Sequence, residues 1–183
     1  MTPPTTTETT RPRADGAPPS FSGFAFRLLL YLFLISLLFS LGGIHRALLP
    51  VQRAMASFAA AGAQLFGAGA TVADTIIRTD HAALDINHEC TGVFVLLVYT
   101  MFVLAYPAPW RQRLRGALVG WVTLIAINLA RLVILTAIAS QKPDWFAYFH
   151  EIFFQGLFIG ILAILATVWT EQVRRATLHR VSA

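Results

Sequence analysis

Cys90, Arg131 and His150 are the three side chains in this sequence best suited to covalent chemistry. Cys90 is the only cysteine, and it lies in "NHECTGVF" (residues 87–94), where a polar segment gives way to an apolar run. Arg131, in "NLARLVILTAIA", is the only charge between Arg115 and Lys142. His150, in "WFAYFHEIFF", opens a further apolar run. A thiolate can attack a carbonyl carbon, and nearby cations or donors lower the thiol pKa that limits it. An imidazole can act first as general base and then as general acid. A guanidinium can hold a developing oxyanion, or a thiolate–imidazolium pair, in a low-dielectric place. These are the parts of an acyl-transfer site. Each residue also has a plainer reading. A free cysteine is most often a small buried hydrophobe. An arginine inside a membrane span can snorkel to a lipid phosphate. A histidine beside Trp145, Phe146, Tyr148 and Phe149 can belong to an interfacial aromatic belt.

Whether the three can meet depends on the elements that carry them. The chain has 183 residues, 56% hydrophobic and 13% charged, with long runs that hold almost no charge. Phe24–Ile44, Gly116–Ser140 and Ile152–Thr170 match the roughly 17–25 apolar residues of a spanning helix. Thr91–Tyr106 is slightly short, and can span if its first turn begins near Cys90. The expected fold class is an all-α integral membrane protein with about four transmembrane helices. A small outer-face segment would complete it, holding a surface helix and a short hairpin.

Basic residues orient these spans. With the N-terminus inside, Arg11, Arg13, Arg27, Arg111, Arg113, Arg115, Arg174, Arg175 and Arg180 fall on the inner side. Arg46, Arg53, Arg78 and Lys142 fall outside, so nine oppose four and both termini are expected in the cytoplasm. Met55–Ala73 lacks charge but is mostly Ala and Gly, and counting it as a span would send "WRQRLR" outside. It reads as a helix at the outer surface. "TVADTII" and "ALDIN", around "RTDH", have the partial alternation of a hairpin.

The expected organisation runs in five parts. Residues 1–20 form a disordered Thr- and Pro-rich cytoplasmic lead, and 21–44 a signal-anchor helix. Residues 45–90 form the outer-face segment. A three-helix transmembrane catalytic core follows over 91–170, and 171–183 form a basic cytoplasmic tail. A third span that starts at Gly116 carries Arg131 roughly 22 Å in, toward the outer face. Asn128 lies one turn before it on the same side. Cys90, Arg131 and His150 thus reach one level from three segments. Glu89 and Glu151 flank two of them, as orienting or specificity residues or as a solvated outer face.

Other function classes fit less well. The net charge of +5 comes from 14 basic residues scattered beside apolar runs, without the contiguous basic face of a nucleic-acid binder. His81, Asp85, His88, Glu89, Cys90, His150 and Glu151 include common zinc ligands, which keeps a metal-dependent protein in view. No HExxH or CxxC spacing is present, and Arg131 would repel a cation, so no metal or other cofactor is expected. A non-catalytic membrane scaffold or assembly factor is the remaining alternative.

"ECTG" before one span, "NLAR" in the next and a histidine opening the following one resemble the exosortase/archaeosortase family of membrane cysteine transpeptidases. The likeness covers about residues 70–170, and its specificity lies in the order and topology of motifs that are weak singly. It implies that Cys90, Arg131 and His150 form the active site. It also implies substrates that are exported proteins ending in a short motif, a transmembrane helix and a basic tail. They would be cleaved at the motif and transferred to an acceptor at the outer face of the inner (plasma) membrane. Membrane lipid would be the other partner. Thr91 stands where the family pattern has serine, which keeps the hydroxyl. Four spans are few for the family and point to a compact subclass such as the exosortase H type.

Overall fold

A computed structural model describes residues 21–40 and 43–181. The expected lead over residues 1–20 and the last two residues of the basic tail lie outside the described residues. Five helices dominate the fold: α1 (Phe21–Ser40), α2 (Gly43–Gln64), α3 (Val93–Ala105), α4 (Trp110–Gln141) and α5 (Phe154–Val181). Three short strands, β1 (Thr71–Ala73), β2 (Ile76–Arg78) and β3 (Ala83–Asp85), lie between α2 and α3. The class is all-α with a small added sheet.

Among the described residues, three stretches are long and apolar enough to cross a membrane: Ser22–Ser40, Trp110–Gln141 and Pro143–Leu178. The fourth expected span is α3, whose 13 residues give only about 20 Å of helix. It is shorter than the roughly 30 Å hydrocarbon core of a bilayer. By contrast α4 has 32 residues, about 48 Å.

The outer helix differs from the expectation. It begins at Gly43 rather than Met55 and includes Pro50, so Arg46 and Arg53 sit on a helix and not in a connection. Its buried residues, Leu48, Gln52, Ala56, Ala59, Ala60 and Ala63, recur at helical spacing and make the packing face. That face lies along the C-terminal half of α4. Asn128 Nδ2 approaches Met55 Sδ at 3.8 Å, Gly62 abuts Val133, and Gln141 Nε2 donates to the Phe66 carbonyl at 3.1 Å. The three contacts advance together along both helices, so α2 runs beside α4. Charge alone hid this, because the arginines look like loop residues until the amphipathic period is followed through them. The helix stops in a Schellman arrangement, with Ala68 N bonded to Ala63 O and Gly67 at φ 79°.

The expected hairpin is a three-stranded antiparallel meander in the order β1-β2-β3. Val72 pairs with Ile77, and Ile77 with Leu84. Ile77 is fully buried against the small residues of α2, in a cluster with Ala56, Ala60, Ile86, Leu132 and Cys90. The sheet therefore caps the bundle just above Cys90.

Away from the sheet, α3, α4 and α5 close around Tyr99, Val103, Leu124, Trp169 and Val173. Two glycines on α4 allow this approach. A Cβ on Gly120 would fall 1.9 Å from the Tyr99 ring, and one on Gly116 would fall 2.0 Å from Trp169 Nε1. Tyr99 is held as well, since its hydroxyl donates to the Gly116 carbonyl at 3.3 Å. Gly120→Val is expected to destabilise the bundle by at least the ~1–3 kcal/mol usual for overpacking. Thermal unfolding in detergent would measure it. A melting point equal to that of the native chain would show that α3 and α4 do not pack this closely.

Candidate active site

The nucleophile candidate sits on a single 3₁₀ turn, His88–Thr91, and local sequence explains the turn. Asn87 caps it: its side-chain oxygen accepts from Glu89 N at 3.0 Å and Cys90 N at 3.1 Å. Thr91 Oγ1 donates to the His88 carbonyl at 2.6 Å, which closes the turn. Gly92 at φ 69° then redirects the chain into α3. Left-handed backbone costs other residues about 1–2 kcal/mol. Gly92 is also tightly covered, because a Cβ there would meet Asn128 Cγ at 3.1 Å. Gly92→Ala is thus expected to lower both thermal stability and activity. Loss of neither would show that the turn tolerates another path.

The buried Asn128 of α4 binds this turn directly. Its Nδ2 donates to the Cys90 carbonyl at 2.9 Å, across 38 positions of sequence. The bond joins the cysteine turn to the helix that carries Arg131, one turn further on. Asn128 Oδ1 and Arg131 Nε are both enclosed and have no hydrogen-bond partner in the described structure.

Arg131 faces aromatic rings instead of a carboxylate. Its Cζ lies 5.5 Å from the centre of the Phe158 ring and 6.0 Å from that of Phe154. Both phenylalanines are buried on α5. Such contacts are worth about 0.5–2 kcal/mol and hold a guanidinium without neutralising it. Among the described residues, no ion pair involves Arg131. A cation kept unpaired in this way stays available to a developing negative charge.

His150 lies in a π-helical turn, Tyr148–Phe153, just before α5. Such turns interrupt regular helices mostly at functional positions. Its imidazole stacks on Phe146, with 5.4 Å between ring centres and 17° between planes. The belt of aromatics read from the sequence therefore has a further task for one member, Phe146.

Cys90, Arg131 and His150 line a single cavity of about 680 Å³. Asn128, Glu89 and Glu151 line it too, so all six residues singled out in the sequence come together. Both glutamates are exposed. Phe39 of α1, Phe94 and Val95 of α3, and Gln155 and Phe158 of α5 complete the wall. Sequence reasoning missed Asn87, Phe154 and Phe158. The Asn87 cap was legible as an asparagine before a polar turn. The phenylalanines are spaced i, i+4, which marks a helix face but not what faces it. Among the described residues, no three His, Cys, Asp or Glu side chains form a group able to hold a metal ion.

Burial pushes the Cys90 thiol above its ordinary range. The Arg131 charge and a hydrogen bond from the Asn87 backbone pull it down, while Glu89 and Asp85 push it up, and burial prevails. Only the thiolate reacts, so Cys90 should be alkylated slowly at neutral pH and faster as pH rises through the elevated pKa. Replacing Arg131 with glutamine removes the strongest lowering influence and should move that profile further alkaline. A profile unmoved by Arg131→Gln would mean that the guanidinium does not act on the thiol.

The transmembrane exosortase family model matches residues 18–170, which takes in four of the five helices and most of α5. No curated protein and no solved structure matches the chain. The match extends the likeness of "ECTG", "NLAR" and the following histidine back through the first helix, and a compact H-type subclass is consistent with it. Long apolar helices, one cavity that gathers these motifs and a family match over most of the length lead to one conclusion: this multi-pass membrane protein belongs to the transmembrane exosortase family.

Proposed function

We propose that the chain is a membrane cysteine transpeptidase or peptidase that cleaves C-terminal sorting signals of exported proteins. The observation that carries this reading is the single cavity in which three separate segments meet with a thiol, a guanidinium and an imidazole. In the proposed cycle His150 takes the Cys90 proton, and the thiolate attacks the carbonyl carbon of the scissile peptide bond. Arg131 holds the oxyanion of the tetrahedral intermediate. As the carbon–nitrogen bond breaks, His150 returns the proton to the departing amine. The released product carries the substrate's apolar helix and basic tail. The remaining acyl group is a thioester on Cys90. An amine or water then attacks it, His150 accepts the proton, and the acyl product leaves with the thiol restored.

Asn128 positions the Cys90 turn in this scheme, and Glu89 and Glu151 orient His150 or contact the substrate at the mouth. The charge count supports an inner (plasma) membrane protein with both termini in the cytoplasm and the cavity facing outward. A scaffold role has one observation in its favour. Cys90 is only 8% exposed and belongs to an apolar cluster, as a packing cysteine would. The acyl-enzyme separates the two. Co-expression with an exported reporter ending in a motif, helix and basic tail from the same genome should yield, by intact mass, an adduct on Cys90 that hydroxylamine releases. Reporter cleavage with no adduct under rapid acid quench would count against a thioester.

A further inference from the structure

The site cavity is walled by Phe39 of α1 on one side and by Gln155 and Phe158 of α5 on another. Helices α1 and α5 each pack against α3, and scarcely against each other. Near the inner side, aromatic rings bridge this gap. Phe24 of α1 meets Phe102 and Tyr106 of α3 at 5.8 and 5.9 Å between ring centres. Trp169 of α5 meets the same two rings at 6.2 and 5.4 Å. The three helices are therefore joined by a continuous aromatic seal at that level.

No such bridge exists among the described residues toward the outer end. There Phe39 packs on α3 through Phe94, with 5.4 Å between ring centres, and both line the cavity. Phe158 lines it from α5, and Phe94 remains 44% exposed. Aromatic contacts therefore link α1, α3 and α5 at the inner end, whereas at the outer end residues of α1 and α5 both line the cavity. Its walls are apolar up to Gln155, where Glu151, Glu89 and the candidate catalytic groups begin.

We propose that this opening between α1 and α5, in the outer leaflet, is the lateral doorway for the apolar helix of the substrate. The inference rests on the proposed function and specifies where its substrate enters. The occupant follows from continuity of the two regions. A helix whose outer end lies against Phe39, Phe94 and Phe158 delivers the peptide that precedes it to Cys90, and that peptide continues toward the two glutamates. The aromatic seal stops the helix from entering along its whole length, so only its outer turns insert while its inner part stays in lipid. Apolar contact of this kind selects helices by shape and hydrophobicity, and the polar mouth reads the motif.

Photocrosslinking tests the doorway. The photoreactive analogue benzoylphenylalanine would replace Phe39, or as controls Leu30 or Ile164, which are exposed on α1 and α5. The background is Cys90→Ala, and the probe is the exported reporter described above. The expected result is a crosslink from position 39 to the outer turns of the reporter helix, at least ~10-fold above either control. Equal or stronger labelling from Ile164 or Leu30 would overturn the doorway and leave the cleavage reading intact. A reporter that the native chain never cleaves would overturn the cleavage reading and the doorway with it. Phe39→Trp, read in the native Cys90 background, keeps the stacking and narrows the opening. It should raise KM for the reporter more than it lowers kcat, whereas loss of kcat alone would place Phe39 in the chemistry rather than the entrance.

Discussion

Replacing Cys90 with serine is expected to abolish reporter cleavage, a loss of more than ~10³-fold, with the protein still inserted in the membrane. Serine keeps the shape of the side chain but has a far higher pKa and is a weaker nucleophile than a thiolate, so a site built around Cys90 activates it poorly. Cys90 lies in an apolar cluster, so a serine hydroxyl there also carries a desolvation cost of about 1–3 kcal/mol. Cys90→Ala separates the two effects, because it loses the nucleophile without adding a polar group. Both variants should be inactive, and Cys90→Ala should melt close to the native chain. Cleavage retained in Cys90→Ala would refute the nucleophile and favour the scaffold reading.

The second large effect is expected at Arg131. Arg131→Lys should lose most activity, about 10²-fold or more, the loss typical of removing an oxyanion donor. Lysine keeps the charge, and above Phe154 and Phe158 it keeps much of the cation–π contact. It lacks the planar fork that can bind an oxyanion or a thiolate–imidazolium pair with fixed geometry. Stability should respond in the opposite sense. An arginine inside a span without an ion-pair partner costs folding energy, so Arg131→Met should leave the melting point unchanged or raise it while activity falls. A melting point that drops together with activity would make Arg131 a structural residue. Near-native cleavage by Arg131→Lys would remove the oxyanion role.

These expectations depend on how the site is assembled, and part of that was legible in advance. The long apolar runs predict the helices because lipid is the solvent, and a run of 20 apolar residues has few other stable destinations. The order of Cys90, Arg131 and His150 along those runs, with the alternation of spans, predicts their shared level. The structure brings all three, with Asn128, Glu89 and Glu151, to the wall of one cavity. The outer segment was harder. Its helix is amphipathic and stands against a neighbouring helix, and arginine spacing reads equally well as a loop when the partner surface is unknown.

What the sequence determined by itself is local: where the chain is apolar enough to enter a membrane, which side its arginines favour, and which three side chains carry unusual chemistry at similar depth. The tertiary structure decided which atoms meet. Asn128 holds the Cys90 carbonyl across 38 positions, Phe154 and Phe158 take the guanidinium, and α2 packs along α4. The reason is physical. Hydropathy is a property of each segment against its solvent, and it survives any rearrangement of the segments. Contacts between segments depend on side-chain volume and the close approach that particular glycines permit, such as Gly120 under Tyr99 and Gly92 under Asn128. Those fits exist only once the helices are packed, so "NHECTGVF" could identify its cysteine but not the asparagine that holds it.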